Sequence, residues 1–116
     1  MINVANLKPV HFQAFIDGRK RTERRIRRRI DPRLEKIELG ELVVMLEIGT
    51  RRAFVATIRH VIRFDYDRIW TNDDDPQDRR QIGSYYQYAI RLQDVELLTL
   101  DEPVRKIQGW HRRIEP

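Results

Sequence analysis

Gly18-Arg19-Lys20-Arg21-Thr22-Glu23-Arg24-Arg25-Ile26-Arg27-Arg28-Arg29 is the stretch on which the reading of this chain turns. Between Arg19 and Arg33 nine residues are Lys or Arg, and two, Glu23 and Asp31, are acidic. Nine minus two gives +7 in fifteen residues, against +5 for the whole chain of 116, so the remainder sums to −2. The charge is therefore local, and a local positive block points to a polyanionic partner better than a high isoelectric point spread over a surface. As a helix the block would have almost no apolar face, because only Ile26 and Ile30 are available to form one. As a strand, a period of two puts Thr22, Arg24 and Ile26 on one face and Glu23, Arg25 and Arg27 on the other. A strand over about residues 20–28 is the expectation.

Upstream, Pro9 suits the first position of a helix, and Val10, Phe12, Ala14, Phe15 and Ile16 give residues 9–17 an apolar side. Asp17-Gly18 closes that helix with a glycine cap. Residues 1–7 read as a first strand or a loose terminus. Downstream, Asp31-Pro32 ends the basic strand, and residues 33–40 form a connection. Strands follow at 42–47 and 53–64, joined by the turn Gly49-Thr50-Arg51, as an antiparallel hairpin. Short helical segments at 66–70 and 78–82 flank an acidic loop at 72–76. Two further strands, 86–92 and 95–100, precede a tail at 104–116. Many strands with few, short helices predict a mainly β (α+β) chain built as a small closed or nearly closed β-barrel. Residues 1–116 read as one domain, with no internal repeat and no linker dividing them.

Composition narrows the function classes. With no cysteine, disulfides, thiolate metal sites and a cysteine nucleophile are excluded. His11, His60 and His111 show no metal-ligand spacing, so no metal or other cofactor is expected. The acidic loop lacks the glycine and terminal glutamate of a calcium loop. No apolar run approaches the ~20 residues of a membrane span, and residues 1–20 lack the pattern of a signal peptide. A cytoplasmic protein with no membrane partner is the expectation. Of the 23 basic residues, 19 are Arg and 4 are Lys. Arginine binds phosphate bidentately and stacks on bases.

A helix ending in glycine, a charged strand carrying Lys20, Glu23 and Arg25, and a Leu39-Gly40-Glu41 turn into a hairpin form a recognisable order. It resembles the ASCH family of the PUA-like superfamily, whose signature is Gly-x-Lys-x-x-Glu-x-Arg followed by a hydrophobic-Gly-acid turn. The likeness covers about residues 7–64, with a looser fit of the later strands. It implies a PUA-like pseudo-β-barrel with a cleft beside the motif, and binding of RNA or of modified nucleosides. Some bacterial members look like amidohydrolases acting on N4-acetylcytidine, and one branch is associated with ribonuclease activity. The amidohydrolase-type members use the motif lysine, a threonine three residues later as nucleophile, and a late glutamate. Here that threonine position holds Glu23, and Thr22 falls on the opposite strand face.

The residues themselves support the same region. Glu23 and Arg25 share a strand face and can pair, and Gly18 lets the chain turn so that Lys20 joins them. Arg19, Arg21, Arg24, Arg27, Arg28 and Arg29 are candidates for phosphate contacts. Tyr86, Tyr88 and Trp110, with Tyr85 and Trp70, are candidates for base stacking; one face of the 86–92 strand must be core, and Trp110 reads equally as a plug that closes the barrel. The expected function is an RNA-binding or modified-nucleoside-recognition module, with RNA or a nucleoside or nucleotide as ligand. The alternatives are a small amidohydrolase- or ribonuclease-like enzyme, for which Lys20 and Glu23 would be the catalytic candidates, and a basic protein-interaction domain.

Overall fold

The computed structural model describes residues 1–66 and 85–113. The helical segments expected beyond Tyr66, the acidic loop, Trp70 and the end of the tail lie outside them. The elements run β1 (Ile2–Leu7), α1 (Pro9–Ile16), β2 (Thr22–Arg27), α2 (Pro32–Glu35), β3 (Leu42–Glu47), β4 (Arg52–Tyr66), β5 (Tyr85–Thr99) and β6 (His111–Arg113). The six strands form one sheet in the order β2-β5-β4-β3-β1-β6. β1 runs parallel to β3, while every other neighbouring pair is antiparallel. The chain is mainly β with two short helices, as its sequence implies. The barrel is not closed by a ladder: β2 and β6 are the two edges of the sheet.

The apolar residues of both helices and the inner sheet face make one core. Phe12 and Phe15 on α1 each approach the Phe54 ring of β4 at 5.3 Å between centroids. Leu34 on α2, Val43 and Met45 on β3, and Tyr88 and Ile90 on β5 complete it. The residue expected to end the basic strand, Asp31, also starts α2: its side chain accepts a hydrogen bond from the Arg33 amide at 2.9 Å. Residues 33–40 are therefore not a plain connection.

The tail supplies the largest fully buried side chain among the described residues. Trp110 has 0% exposure, and its Nε1 donates to Asn3 Oδ1 on β1 at 2.9 Å. A ring with no exposed surface cannot stack on a base, so Trp110 is corrected from stacking candidate to core plug. It is followed by β6, which pairs with β1. Glu41, from the Leu39-Gly40-Glu41 turn, holds that last strand in place. Its carboxylate accepts two bonds from Arg112, at 2.7 and 3.1 Å, and one from Asn3 Nδ2 at 3.0 Å. Gly40 takes φ +90°, a conformation that glycine adopts without steric cost, and its amide donates to Ile58 O at 2.8 Å.

Two irregularities separate the long strands from the sequence pattern. The expected strands 86–92 and 95–100 are one strand, β5, with a bulge at Asp94 and Val95, where Asp94 has φ +55°. β4 carries a second register shift at Arg59. Before it Phe54, Ala56 and Ile58 are buried, and after it Val61 packs on the core while Ile62 and Phe64 are exposed. An extra residue inverts the alternation of everything that follows it. This is why Ile62 and Phe64 face outward although they continue the even-numbered alternation of the buried Phe54, Ala56 and Ile58.

Two outcomes test this packing. Trp110→Ala should destabilise by about 3–5 kcal/mol, read by denaturant titration, because it removes a large fully buried ring. Burial acts to raise the pKa of Glu41, but the bonds from Arg112, Asn3 and the Glu38 amide outweigh it and hold the group below its ordinary 4.5. Its stabilising contribution is thus full above pH 4.5 and is lost as pH falls through the lower folded value. Glu41→Gln should be less stable at neutral pH and should show a shallower loss of stability on acidification below that point.

Candidate functional site

The seam between the two sheet edges is spanned by a side chain instead of a ladder. Arg25 projects from the edge strand β2. Its Nη2 donates to the backbone carbonyl of Asn6 on β1 at 2.8 Å and lies 3.8 Å from Glu23 Oε2. The same guanidinium sits 5.7 Å from the centroid of the Trp110 ring. One cation thereby ties β2 to β1 and to the residue before β6. Desolvation by burial lowers the Arg25 pKa, and the neighbouring Glu23 carboxylate opposes that shift.

Helix α1 brings Lys20 to the same carboxylate. Gly18 takes φ +74°, which lets the chain reverse so that the Arg19 and Lys20 amides both donate to Ala14 O, at 2.9 and 3.0 Å. The Lys20 ammonium then lies 3.6 Å from Glu23 Oε1 and 5.3 Å from the centroid of the Phe15 ring. Glu23 sits between two cations with its side chain 7% exposed. The structure thus brings Lys20, Glu23 and Arg25 together, with the carboxylate at the centre. Among the described residues, Glu23 is the one ionic partner of Lys20.

A cleft of about 450 Å³ opens along this seam, lined by Asn6, His11, Glu23, Arg25, Lys106 and Gln108 among others. Asn6 donates its Nδ2 to the Ile107 carbonyl at 2.9 Å, which ties the tail to β1. That leaves Asn6 Oδ1 buried with no hydrogen-bond partner, and the same holds for Glu23 Oε2 and Arg25 Nε. Three of the four such side-chain atoms among the described residues belong to residues that line this one cleft; the fourth is Arg52 Nε. Buried polar groups are ordinarily bonded, so unpaired atoms gathered on one concavity are a recognition signal. Sequence reading did not select Asn6. Its signal was available: asparagine is disfavoured in strands, and Asn6 stands with Asn3 in a run whose other residues are apolar.

The rest of the basic block divides by ion pairing. Arg19 pairs with Asp17 at 2.9 Å and Arg27 with Asp31 at 3.0 Å, so each is locally neutralised. Arg21, Arg24, Arg28 and Arg29 are exposed, and among the described residues none has an ion pair. The tyrosines are also redistributed. Tyr88 is 1% exposed, its hydroxyl donates to Glu35 Oε1 at 2.8 Å and accepts from the Asp31 amide at 3.0 Å. It is corrected from stacking candidate to core. Tyr86 is half-buried with the Arg63 guanidinium 5.7 Å from its ring centroid, and Tyr85 stacks on Tyr66 at 4.7 Å.

An edge-open β sheet with a Gly-capped helix feeding a charged edge strand is the architecture observed. The chain has the ASCH-domain fold. It is similar over 98% of its length, with 16% identity and a TM-score of 0.62, to the crystal structure of a serine-to-alanine mutant of the ASCH protein from Zymomonas mobilis, covering 89% of that chain. A second structure of the Zymomonas mobilis ASCH protein matches 80% of this chain and 67% of its own at 18% identity and a TM-score of 0.51. A tyrosine-to-phenylalanine mutant matches at the same identity and TM-score over 90% of this chain and 75% of its own. No family profile and no curated protein matches the sequence.

The Lys20–Glu23–Arg25 arrangement makes its own prediction. Glu23→Ala should destabilise by about 3–5 kcal/mol in denaturant titrations, because it leaves the largely buried Arg25 guanidinium without its carboxylate. Arg25→Lys should fail to restore wild-type stability. A point-charge ammonium cannot serve Asn6 O, Glu23 and the Trp110 face together.

Proposed function

We propose that this chain is an RNA-binding, nucleobase-recognising module whose seam cleft takes one base. The observation that carries the reading is that three residues with a buried, unpaired polar atom line this one cleft: Asn6 and Glu23 with an acceptor each, Oδ1 and Oε2, and Arg25 with a donor, Nε. Two acceptors beside one donor match a base edge that presents an amino group. A carboxylate oxygen held between Lys20 and Arg25 accepts such a group without reorganisation, and charge-assisted bonds of this kind are stronger than neutral ones. The cleft therefore favours cytosine, adenine or guanine over uracil. With Trp110 and Tyr88 inside the core, base selection rests on hydrogen bonds and not on those rings. The exposed Arg21, Arg24, Arg28 and Arg29 supply the salt-sensitive attraction to phosphates. The likeness of the Gly18, Lys20, Glu23 and Arg25 pattern to the ASCH motif supports the same partner class, and the soluble, cytoplasmic setting expected from the sequence is compatible with it.

Calorimetric titration with cytidine and uridine tests the base reading. Cytidine should bind at least tenfold more tightly, since an analogue that lacks the donor leaves Glu23 Oε2 unpaired. Asn6→Ala and Glu23→Gln should erase the difference. Equal affinity for the two nucleosides would sink the reading. Single-stranded RNA should bind with a log–log salt slope of about −0.7 for each phosphate neutralised. Salt-insensitive binding, or preference for an acidic protein, would favour the protein-interaction alternative. Glu23 occupies the position at which the amidohydrolase-type members carry threonine, so no turnover of N4-acetylcytidine is expected. Turnover abolished in Lys20→Ala would establish the hydrolase alternative.

A further inference from the structure

A second concavity, of about 380 Å³, lies next to the seam cleft and has a different character. Lys20, Arg21, Arg59 and Arg91 line it, with Asp94 as the single acid among its lining residues. Arg59 and Arg91 come from β4 and β5, far in sequence from the basic block. Arg91 is exposed and has no ion pair among the described residues, and the same is true of Arg21. Arg59 Nη1 donates to the neutral Gln93 Oε1 at 3.2 Å, so its charge is uncompensated. Lys20 alone is shared with an acid, through Glu23. Three guanidinium groups left without carboxylates around one groove repel one another, and they are stabilised by an anion that accepts from several at once.

The backbone around this groove is irregular in both strands. The extra residue in β4 is Arg59 itself, set between the Ile58–Leu92 and His60–Arg91 pairs. The bulge in β5 falls at Asp94 and Val95, both lining the groove, and Asp94 is the one non-glycine residue with positive φ among the described residues. A left-handed non-glycine residue is strained and persists where the surroundings impose it. Bulges recur where a strand must re-aim a side chain. Here one of them adds a cation to the groove.

We propose that the Arg21–Arg59–Arg91 groove is a phosphate-binding subsite for the phosphodiester next to the base held in the seam cleft. The proposal rests on the base-recognition reading for its ligand, because the Lys20–Glu23 pair is the wall between the two concavities: Lys20 lines one and Glu23 the other. A base held at Glu23 would lie on one side of that wall, with the three arginines lining the concavity on the other. The ligand is an oligonucleotide or a nucleotide, bound more tightly than the free nucleoside.

The test uses the full chain and two probes. With a fluorescein-labelled single-stranded RNA octamer of cytidine, the wild type should show a log–log salt slope steeper by about 0.7 than the double variant Arg59→Gln/Arg91→Gln, corresponding to the one phosphate the groove neutralises. Cytidine itself should bind both proteins equally. Arg51→Gln, outside the groove, should leave the slope unchanged. An unaltered slope in the double variant, or loss of cytidine binding along with it, would overturn the subsite. The second probe is inorganic pyrophosphate, followed by the Nε–Hε resonances of arginine, which does not depend on the base cleft. Saturable shifts confined to Arg21, Arg59 and Arg91 support the groove even where cytidine fails to bind, an outcome that removes the base reading alone. Shifts spread equally over Arg51 and other exposed arginines, or a stronger response to an acidic peptide than to the RNA, would reject it.

Discussion

Arg25 is the constraint around which the structure is arranged. A sheet that closes into a barrel satisfies its edge strands with backbone hydrogen bonds. Here the two edges, β2 and β6, have no ladder between them, and a largely buried guanidinium crosses the seam instead. It needs an acceptor on the far side, a counter-charge on its own strand and a surface to lie against. Asn6 O, Glu23 and the Trp110 ring supply these in turn. Closure by a polar side chain leaves a concavity that a ladder would have filled, and that concavity is the candidate site. The features that seal the molecule and those that open it to a ligand are thus the same residues.

The same economy appears in the basic block. Strand alternation sorts its charges into two populations. Glu23, Arg25 and Arg27 turn inward, where each has a specific partner, while Arg24 and Ile26 face solvent. Charge on an exposed edge strand also discourages pairing with another chain. The net positive patch is consequently smaller and better defined than the run of nine basic residues suggests. The cations that remain uncompensated include Arg59 and Arg91 from elsewhere in the chain.

Glu41 shows how far a local motif can act. In sequence it belongs to a turn before β3. In the fold it clamps Arg112, 71 residues away, and through β6 it sets the position of Trp110 beside Arg25. A turn residue therefore contributes to the wall of the cleft without touching it. The Gly18 cap and the Gly40-Glu41 turn thus act on one site: the first positions Lys20, the second positions the plug against which Arg25 packs.

Local chemistry was legible from the residues. The helix at 9–17 with its glycine cap, the strand parity of 22–27, the strand at 42–47 and the meeting of Lys20 with Glu23 and Arg25 follow from short-range spacing and from the left-handed conformation open to Gly18. What the sequence could not convey was anything that depends on which strand lies opposite. The extra residue at Arg59 inverts the faces of Ile62 and Phe64, and no property of Arg59 itself announces it. Trp110 and Tyr88 carry the composition of stacking residues, yet burial beside Asn3, Glu35 and Asp31 decides that they are core. Asn6 acquires an unpaired oxygen only because its amide is taken by Ile107, 101 residues distant. Spacing along the chain determined which side chains share a face; only the tertiary structure, by choosing each one's long-range partner, determined which polar atoms were left over for a ligand.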